Sequence, residues 1–128
     1  MSVTDQLRER KSRQFALLLA LYERRGNERL DPIALGAGYG IDRVEAERAT
    51  RYADEEGLIK RLPGEGAMVT LAPAGIALVE AALATPNQGS SHFPPVASLN
   101  LPADLRARVP GAASANPVAP RAGLKIAR

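Results

Sequence analysis

The stretch from Asp31 to Leu71 constrains the fold most, because it carries start and stop signals for two consecutive helices and then a hairpin. Its first two residues open a helix, since aspartate caps free N–H groups and proline is preformed for the first helical position. Asp42 begins the next helix and Gly57 ends it. Glycines keep the first helix short and form the turn between the two: Gly36, Gly38 and Gly40. The pattern predicts helix, turn and helix.

The second of these helices, expected from Asp42 to Glu56, has the strongest local signal in the chain. Asp42 and Glu45 are spaced as a capping box. Helical spacing predicts a core-facing side that comprises Ala46, Ala49, Tyr52 and Ala53. The opposite side is predicted to carry Arg43, Glu47, Thr50, Arg51 and Asp54, with Arg48 on a flank. Six carboxylates against three arginines give this segment a net charge of −3.

Two strand-like segments follow this helix, and prolines and glycines between them mark a turn. The flanks are Leu58–Leu62 and Ala67–Leu71, on either side of Pro63–Gly66. Lys60 and Arg61 lie near the base of this predicted hairpin, where a backbone phosphate is within reach of a cation. The sequence therefore predicts a short hairpin with two basic side chains.

Two further helices complete the predicted domain. The first runs over about Thr4 to Arg25, and one apolar face of it comprises Phe15, Leu18, Leu19 and Tyr22. The last runs from Pro73 to about Ala84 and carries a stripe of Ile76, Val79 and Leu83. A helix that is apolar on more than one side needs either full burial or a partner. We expect a homodimer contact on this last helix, with burial inside the domain as the alternative.

The composition changes after Thr85. Residues 86–128 are rich in proline and alanine and carry five basic residues against one acidic residue, a net charge of +4. Residues 1–85 carry −1, so the overall charge of +3 belongs to this tail. Phe93 is expected to pin the tail either to the domain surface or to another subunit. We expect the tail to be partly extended, and disordered from about residue 110.

The motifs together resemble the winged helix-turn-helix superfamily. Tyr52–Ile59 ends a helix in Gly-Leu-Ile, and Val69–Gly75 leads from a strand into the last helix. The resemblance covers about residues 12–85. It implies an α+β, mostly helical domain over residues 1–85 with a short β-hairpin wing, followed by a C-terminal extension. The junction Ser91–Val96 resembles that of a group of small uncharacterised bacterial winged-helix proteins, which implies a bacterial source.

The sequence offers little enzyme chemistry. It has no cysteine, which excludes disulfides and thiolate nucleophiles. Its single histidine, His92, lies in a proline-flanked linker without a serine–aspartate arrangement that the pattern supports, and one histidine is a weak metal site. The spaced glycines lack the spacing and the lysine of a phosphate-binding loop. We expect no enzyme, no cofactor and no metal.

The N-terminus lacks a signal-peptide pattern, and the longest apolar run, Phe15–Tyr22, is short of the roughly 20 residues that span a bilayer. The expected protein is therefore cytoplasmic and without a membrane partner.

Two functions from different classes fit this pattern. The first is a dimeric transcription regulator that binds double-stranded DNA. Its third helix enters the major groove with Arg43, Arg48 and Arg51, and its hairpin places Lys60 and Arg61 on the backbone. The second is a protein-interaction module whose partner-binding residues are Ile76, Val79, Leu83 and Phe93. The charge of −1 on residues 1–85 favours the second hypothesis, whereas the predicted helix-turn-helix favours the first by fold analogy.

Overall fold

The computed structural model describes residues 2–26, 29–64 and 68–110. The architecture is α+β and mostly helical, with one two-stranded antiparallel hairpin. In chain order the elements are α1 (Val3–Glu23), α2 (Pro32–Ala37), α3 (Arg43–Glu55), β1 (Ile59–Arg61), β2 (Val69–Leu71), α4 (Pro73–Ala84) and α5 (Ala103–Arg106). A single 3₁₀ turn, Val96–Ser98, separates α4 from α5. Residues 65 and 66 of the predicted turn, the first residue of the second predicted strand segment and the disorder predicted after residue 110 lie outside the described residues.

α1 is the central element of the core. Between Ser12 and Leu21 every side chain except that of Arg13 is buried. The predicted apolar face around Phe15 is present, but Leu17 on another side of the helix is equally covered. α2 and α3 pack against α1, and so do β2, α4 and α5. The second half of α1 is therefore enclosed on all sides, as its apolar composition requires.

The predicted caps form the boundaries of α2 and α3. Asp31 Oδ1 accepts hydrogen bonds from the N–H groups of Ile33 and Ala34, and Asp42 Oδ1 accepts one from the Glu45 N–H at 2.8 Å. Gly57 has a φ of +73°, a conformation that glycine adopts without the strain of a side chain, and α3 ends there.

The hairpin pairs Ile59 with Leu71 and Arg61 with Val69. On the other side of β2, Leu30 forms an isolated antiparallel bridge to Val69, with N–H···O distances of 2.9 and 2.8 Å. The short extended segment before α2 thus adds a third, minimal strand position to the hairpin.

Gly75 lies in the first turn of α4, where the helix passes close to the backbone of Leu58. A Cβ atom at this position would collide with the carbonyl oxygen of Leu58 and crowd Leu71. The absence of a side chain therefore allows α4 to approach the chain just before β1. This close contact fixes how α4 leaves the hairpin.

The segment after α4 corrects the predicted division of the chain at residue 85. Apolar side chains spaced along residues 93–109 are buried in the same core as α1: Phe93, Val96, Leu99, Leu101, Leu105 and Val109. The backbone N–H of Asn100 donates to Ser12 Oγ at 2.9 Å, and the Arg108 guanidinium pairs with Glu23 at 2.9 Å. Residues 93–109 therefore belong to the folded domain. The sequence missed this because Pro94, Pro95 and Pro102 interrupt the segment, so its apolar side chains do not form one continuous helix or strand.

Among the residues that the structure describes, no helix combines the length and the apolar character needed to cross a membrane.

Candidate nucleic-acid interface

The exposed side of α3 is centred on Arg51 and Val44. Arg43, Glu47 and Arg48 are also exposed on this helix. The predicted core-facing alanines, Ala46, Ala49 and Ala53, are buried, and Tyr52 is half-buried. Val44 is 56% exposed, so the centre of the face carries one apolar and one cationic side chain.

Thr50 corrects the predicted helical wheel. Its side chain is buried, and its hydroxyl donates to the Ala46 carbonyl oxygen at 2.7 Å. The sequence predicted it on the solvent side. Both α1 and α2 pack against α3. The buried side of α3 is therefore wider than a single neighbouring helix would make it. Thr50 is consequently unavailable to a ligand of the exposed face.

Ion pairs divide the five predicted DNA-binding residues into two groups. Arg43 Nε lies 3.6 Å from Glu47 Oε2, and Arg61 Nε lies 2.8 Å from Asp54 Oδ2. The other three cations form no ion pair within residues 2–26, 29–64 and 68–110: Arg48, Arg51 and Lys60. Exposed ion pairs such as Arg43–Glu47 and Arg61–Asp54 contribute little to the stability of the fold. A phosphate can therefore replace the carboxylate at a small cost in free energy.

The pair between Arg61 and Asp54 also sets the position of the hairpin relative to α3. Asp54 lies in the last turn of the helix and Arg61 at the end of β1. Lys60 is the neighbour of Arg61 on β1 and is exposed. The ion pair therefore brings Arg61 to the C-terminal end of α3, whereas Arg43 lies at its N-terminal end. Lys60, as the adjacent residue on β1, points to the opposite face of the strand.

Arg48 lies one turn before Arg51 on α3, towards the flank that faces α1. There it lines a cleft between α1 and α3, together with residues such as Arg10 and Gln14. The sequence placed Arg48 on a flank of α3, and the structure shows which element that flank faces. The three arginines predicted to enter the major groove are therefore divided: Arg43 and Arg51 lie on the open face of α3, and Arg48 lines the cleft.

The predicted partner-binding residues need a correction. Val79 and Phe93 are buried inside this chain, with exposures of 0% and 3%, so neither has free surface for a partner. Ile76 and Leu83 are half-buried against the core. The only charge of α4, Glu80, accepts a hydrogen bond from the Tyr22 hydroxyl at 2.9 Å. Only Gly75 and Val79 of α4 are buried, while half of the helix is exposed, so the structure shows neither full burial of α4 nor a partner on it.

The sequence left open whether Phe93 packs on the domain or on another subunit. In the structure it packs on the domain. Its ring lies edge-on to Phe15 with centroids 5.4 Å apart, and edge-on to Tyr52 at 6.1 Å. The Lys11 ammonium lies 4.4 Å from the Tyr52 centroid. Burial lowers the pKa of Lys11, while the nearby Glu56 carboxylate acts in the opposite direction. Burial raises the pKa of Tyr52.

Sequence reasoning missed one polar cluster beside Phe93. His92 Nε2 lies 3.2 Å from Glu56 Oε1, and His92 Nδ1 lies 3.3 Å from Ser91 Oγ. The order serine, histidine, carboxylate is that of a hydrolytic relay. However, the N–H groups of His92 and Phe93 both donate to Ser90 Oγ, so these two amides are not free to bind an oxyanion. The cluster fastens the segment to the end of α3.

Within the described ranges, no group of three or more histidine, cysteine or acidic residues could hold a metal ion. Comparison with protein-family models, with curated proteins and with solved structures found no match to this chain.

Proposed function

We propose that the protein is a winged-helix DNA-binding protein that acts as a transcription regulator, with the exposed side of α3 in the major groove. One observation carries the proposal: in the part of the chain that the structure describes, Arg51 forms no ion pair and lies at the centre of that side, while Arg61 lies at the C-terminal end of α3. The order of α1, the Leu30 bridge, α2, α3, the hairpin and α4 supports the winged-helix assignment.

The side chains at the centre of α3 suit the edges of base pairs. A guanidinium can donate two parallel hydrogen bonds to guanine, and a small aliphatic side chain can contact the methyl group of thymine. Arg51 and Val44 offer these two kinds of contact on one exposed surface. Lys60 is a compact cation without a preferred plane, which suits a backbone phosphate.

The acidic residues of α3 are the main objection to a DNA interface, and their contacts weaken it. Three of the carboxylates that could repel phosphates already contact arginines: Glu45 contacts Arg13, Glu47 contacts Arg43 and Asp54 contacts Arg61. Asp42 caps the helix, and Glu56 contacts His92. Glu55 remains, at the end of the helix that leads towards the hairpin.

The protein-interaction alternative loses its main support, because it rested on the apolar side chains of α4 and on Phe93. Those side chains are buried or half-buried in the domain. The homodimer expected on α4 stays a prediction, which sedimentation velocity of the full chain at several concentrations tests. A monomer at all concentrations would refute it.

Fluorescence anisotropy of the full chain on random duplex DNA, in a series of salt concentrations, tests the DNA proposal. We expect Arg51→Gln and Lys60→Gln each to weaken binding, and each lost phosphate contact to reduce the salt slope by about 0.9. Arg25→Gln is the matched control. It removes the same charge on the α4 side of the molecule, where the Arg25 guanidinium lies 4.0 Å from the Tyr22 centroid.

Two results would overturn the proposal. In the first, the wild-type chain does not bind duplex DNA at low salt. In the second, Arg25→Gln weakens binding as much as Arg51→Gln does, which means that net charge alone attracts the DNA. Circular dichroism of each variant confirms that the fold is retained.

A further inference from the structure

The first half of α1 extends beyond the part of the helix that the core encloses. Residues 3–8 are exposed without exception, and the buried part of the helix begins at Ser12. Where this first half passes α3, the two helices border a cleft that Arg10 lines from α1 and Arg48 from α3. The exposed half of α1 thus lies beside the helix that we propose to enter the major groove.

Arg48 connects the cleft to the exposed face of α3. It precedes Arg51 by three residues, and side chains three apart on a helix are neighbours on its surface. Arg10 lines the cleft from its other side, so three exposed guanidinium groups follow one another across the surface: Arg51, Arg48 and Arg10. In the ranges that the structure describes, none of the three forms an ion pair.

The charges that line the cleft add up to one net positive charge, because three arginines stand against two carboxylates. Both carboxylates contact the same arginine: Arg13 lies 2.8 Å from Glu9 and also contacts Glu45. These three side chains are half-buried, whereas Arg10 and Arg48 are exposed. The positive charges are therefore the ones that an approaching ligand meets first.

We propose that the first half of α1 is a further DNA-binding element, in which Arg10 and Arg48 together hold one phosphate of the DNA backbone beside the groove that α3 enters. This inference rests on the proposed function. A phosphodiester carries one negative charge, which matches the net charge of the cleft. Guanidinium groups donate directed, charge-assisted hydrogen bonds to phosphate oxygens, and two of them can hold one phosphate from both sides.

The contact gives Arg48 a different role from the one that its sequence position suggests. Phosphate contacts fix the position and orientation of a protein on the duplex, whereas contacts with base edges read the sequence. Arg10 and Arg48 would accordingly orient α3 in the groove, and Arg51 would contact the base edges. Loss of either cleft arginine should therefore weaken binding to all DNA sequences alike.

Fluorescence anisotropy of the full chain on random duplex DNA, in a series of salt concentrations, measures the contact. Arg10→Gln and Arg48→Gln are each expected to weaken binding about tenfold or more, the effect of one charge-assisted hydrogen bond. Holding the phosphate requires both groups, so the double variant should weaken binding by less than the product of the two single factors. Its salt slope should fall by about 0.9, the value for one phosphate.

Arg8→Gln is the matched control. Arg8 lies on the same exposed half of α1, two residues before Arg10, and carries the same charge. Its side chain lines a different groove, beside residues 90–94, because side chains two apart lie on nearly opposite sides of a helix. This variant should bind DNA almost as tightly as the wild-type chain. Circular dichroism checks that every variant keeps its helix content.

The variants separate a failure of this contact from a failure of the DNA proposal. If Arg51→Gln weakens binding but Arg10→Gln behaves like Arg8→Gln, the α1 contact is refuted and α3 remains the DNA-binding element. If the single factors of Arg10→Gln and Arg48→Gln multiply in full, the two arginines do not share a phosphate, which also refutes the inference. If the wild-type chain does not bind duplex DNA at low salt, both proposals fail.

Discussion

The side-chain amide of Asn100 donates to Glu9 Oε1 across 2.7 Å, and this contact joins the segment after α4 to the first half of α1. The backbone N–H of the same asparagine donates to the buried hydroxyl of Ser12. Ser12 in turn donates to the Arg8 carbonyl oxygen at 2.7 Å. One residue of the C-terminal segment is thus held at two points, one turn apart on α1.

The Asn100 contact predicts a pH dependence. The hydrogen bond from Asn100, followed by that from Arg13, lowers the pKa of Glu9 below its ordinary value. A carboxylate with a lowered folded pKa stabilises the fold above its unfolded pKa, about 4.3, and this contribution is lost as the pH falls through the folded pKa. Asn100→Ala should therefore raise the pKa of Glu9 and cost up to about 1 kcal/mol at neutral pH, less in acid.

Carboxyl ¹³C resonances measured against pH give the Glu9 pKa, and urea unfolding at neutral and acid pH gives the stability. Asn87→Ala serves as the control, since Asn87 is exposed on the same segment and its side chain makes no hydrogen bond to the described residues. An unchanged Glu9 pKa in Asn100→Ala would contradict the assignment.

Phe93 predicts how strongly the C-terminal segment stabilises the domain. Because the ring is buried against Phe15 and Tyr52, Phe93→Ala should cost about 3–5 kcal/mol of unfolding free energy. Phe93→Leu, which keeps most of the apolar volume, should cost less. Val44→Ala removes an exposed aliphatic side chain and should stay within about 0.5 kcal/mol of wild type. Urea denaturation measures all three, and a loss in Phe93→Ala as small as in Val44→Ala would argue against this packing.

Truncation distinguishes the two possible domain boundaries. A chain that ends at Pro110 keeps every buried residue that the structure describes, so its melting temperature should match that of the full chain. A chain that ends at Thr85 loses the cover over one side of α1, and we expect it to aggregate or to lack a cooperative transition. Differential scanning calorimetry makes the comparison. Cooperative unfolding of the shorter chain at the same temperature would restore the division at residue 85.

Gly75 and Gly26 form a matched pair for a prediction about backbone contact. Alanine at position 75 collides with the Leu58 carbonyl oxygen, whereas alanine at position 26 meets no atom within 4 Å. Gly75→Ala should therefore cost about 1–3 kcal/mol or more, despite the higher helix propensity of alanine. Gly26→Ala should change stability by no more than about 0.5 kcal/mol. Thermal melts followed by circular dichroism test this, and equal melting temperatures would show that α4 can shift at no cost.

The elements between residues 31 and 84 were predictable because their signals are local. Asp31 and Asp42 accept the hydrogen bonds that their positions predict, and Pro73 begins α4 where expected. Proline, glycine and aspartate act on the backbone within a few residues of themselves, whatever the rest of the chain does. This explains why helix boundaries were accurate within a residue or two.

The packing of residues 93–109 was not predictable in this way, because it depends on partners about ninety residues away. One signal did exist. Residues 15–21 of α1 are apolar without interruption, which indicates cover on all sides rather than along one face. The cleft escaped prediction for a related reason: Arg10 and Arg48 come together only when α1 packs against α3.

Residues 93–109, which cover α1, come long after α1 in the sequence, and this affects folding during synthesis. α1 is synthesised before the residues that enclose its second side, which lie about 70 residues or more further along the chain. Contacts of such long sequence separation slow folding, and a nascent chain holds its apolar surface uncovered until they form. During synthesis, the apolar half of α1 is consequently prone to aggregation until these residues cover it. Substitutions in residues 93–109 should therefore lower the yield of folded protein in cells more than their effect on the equilibrium stability alone implies.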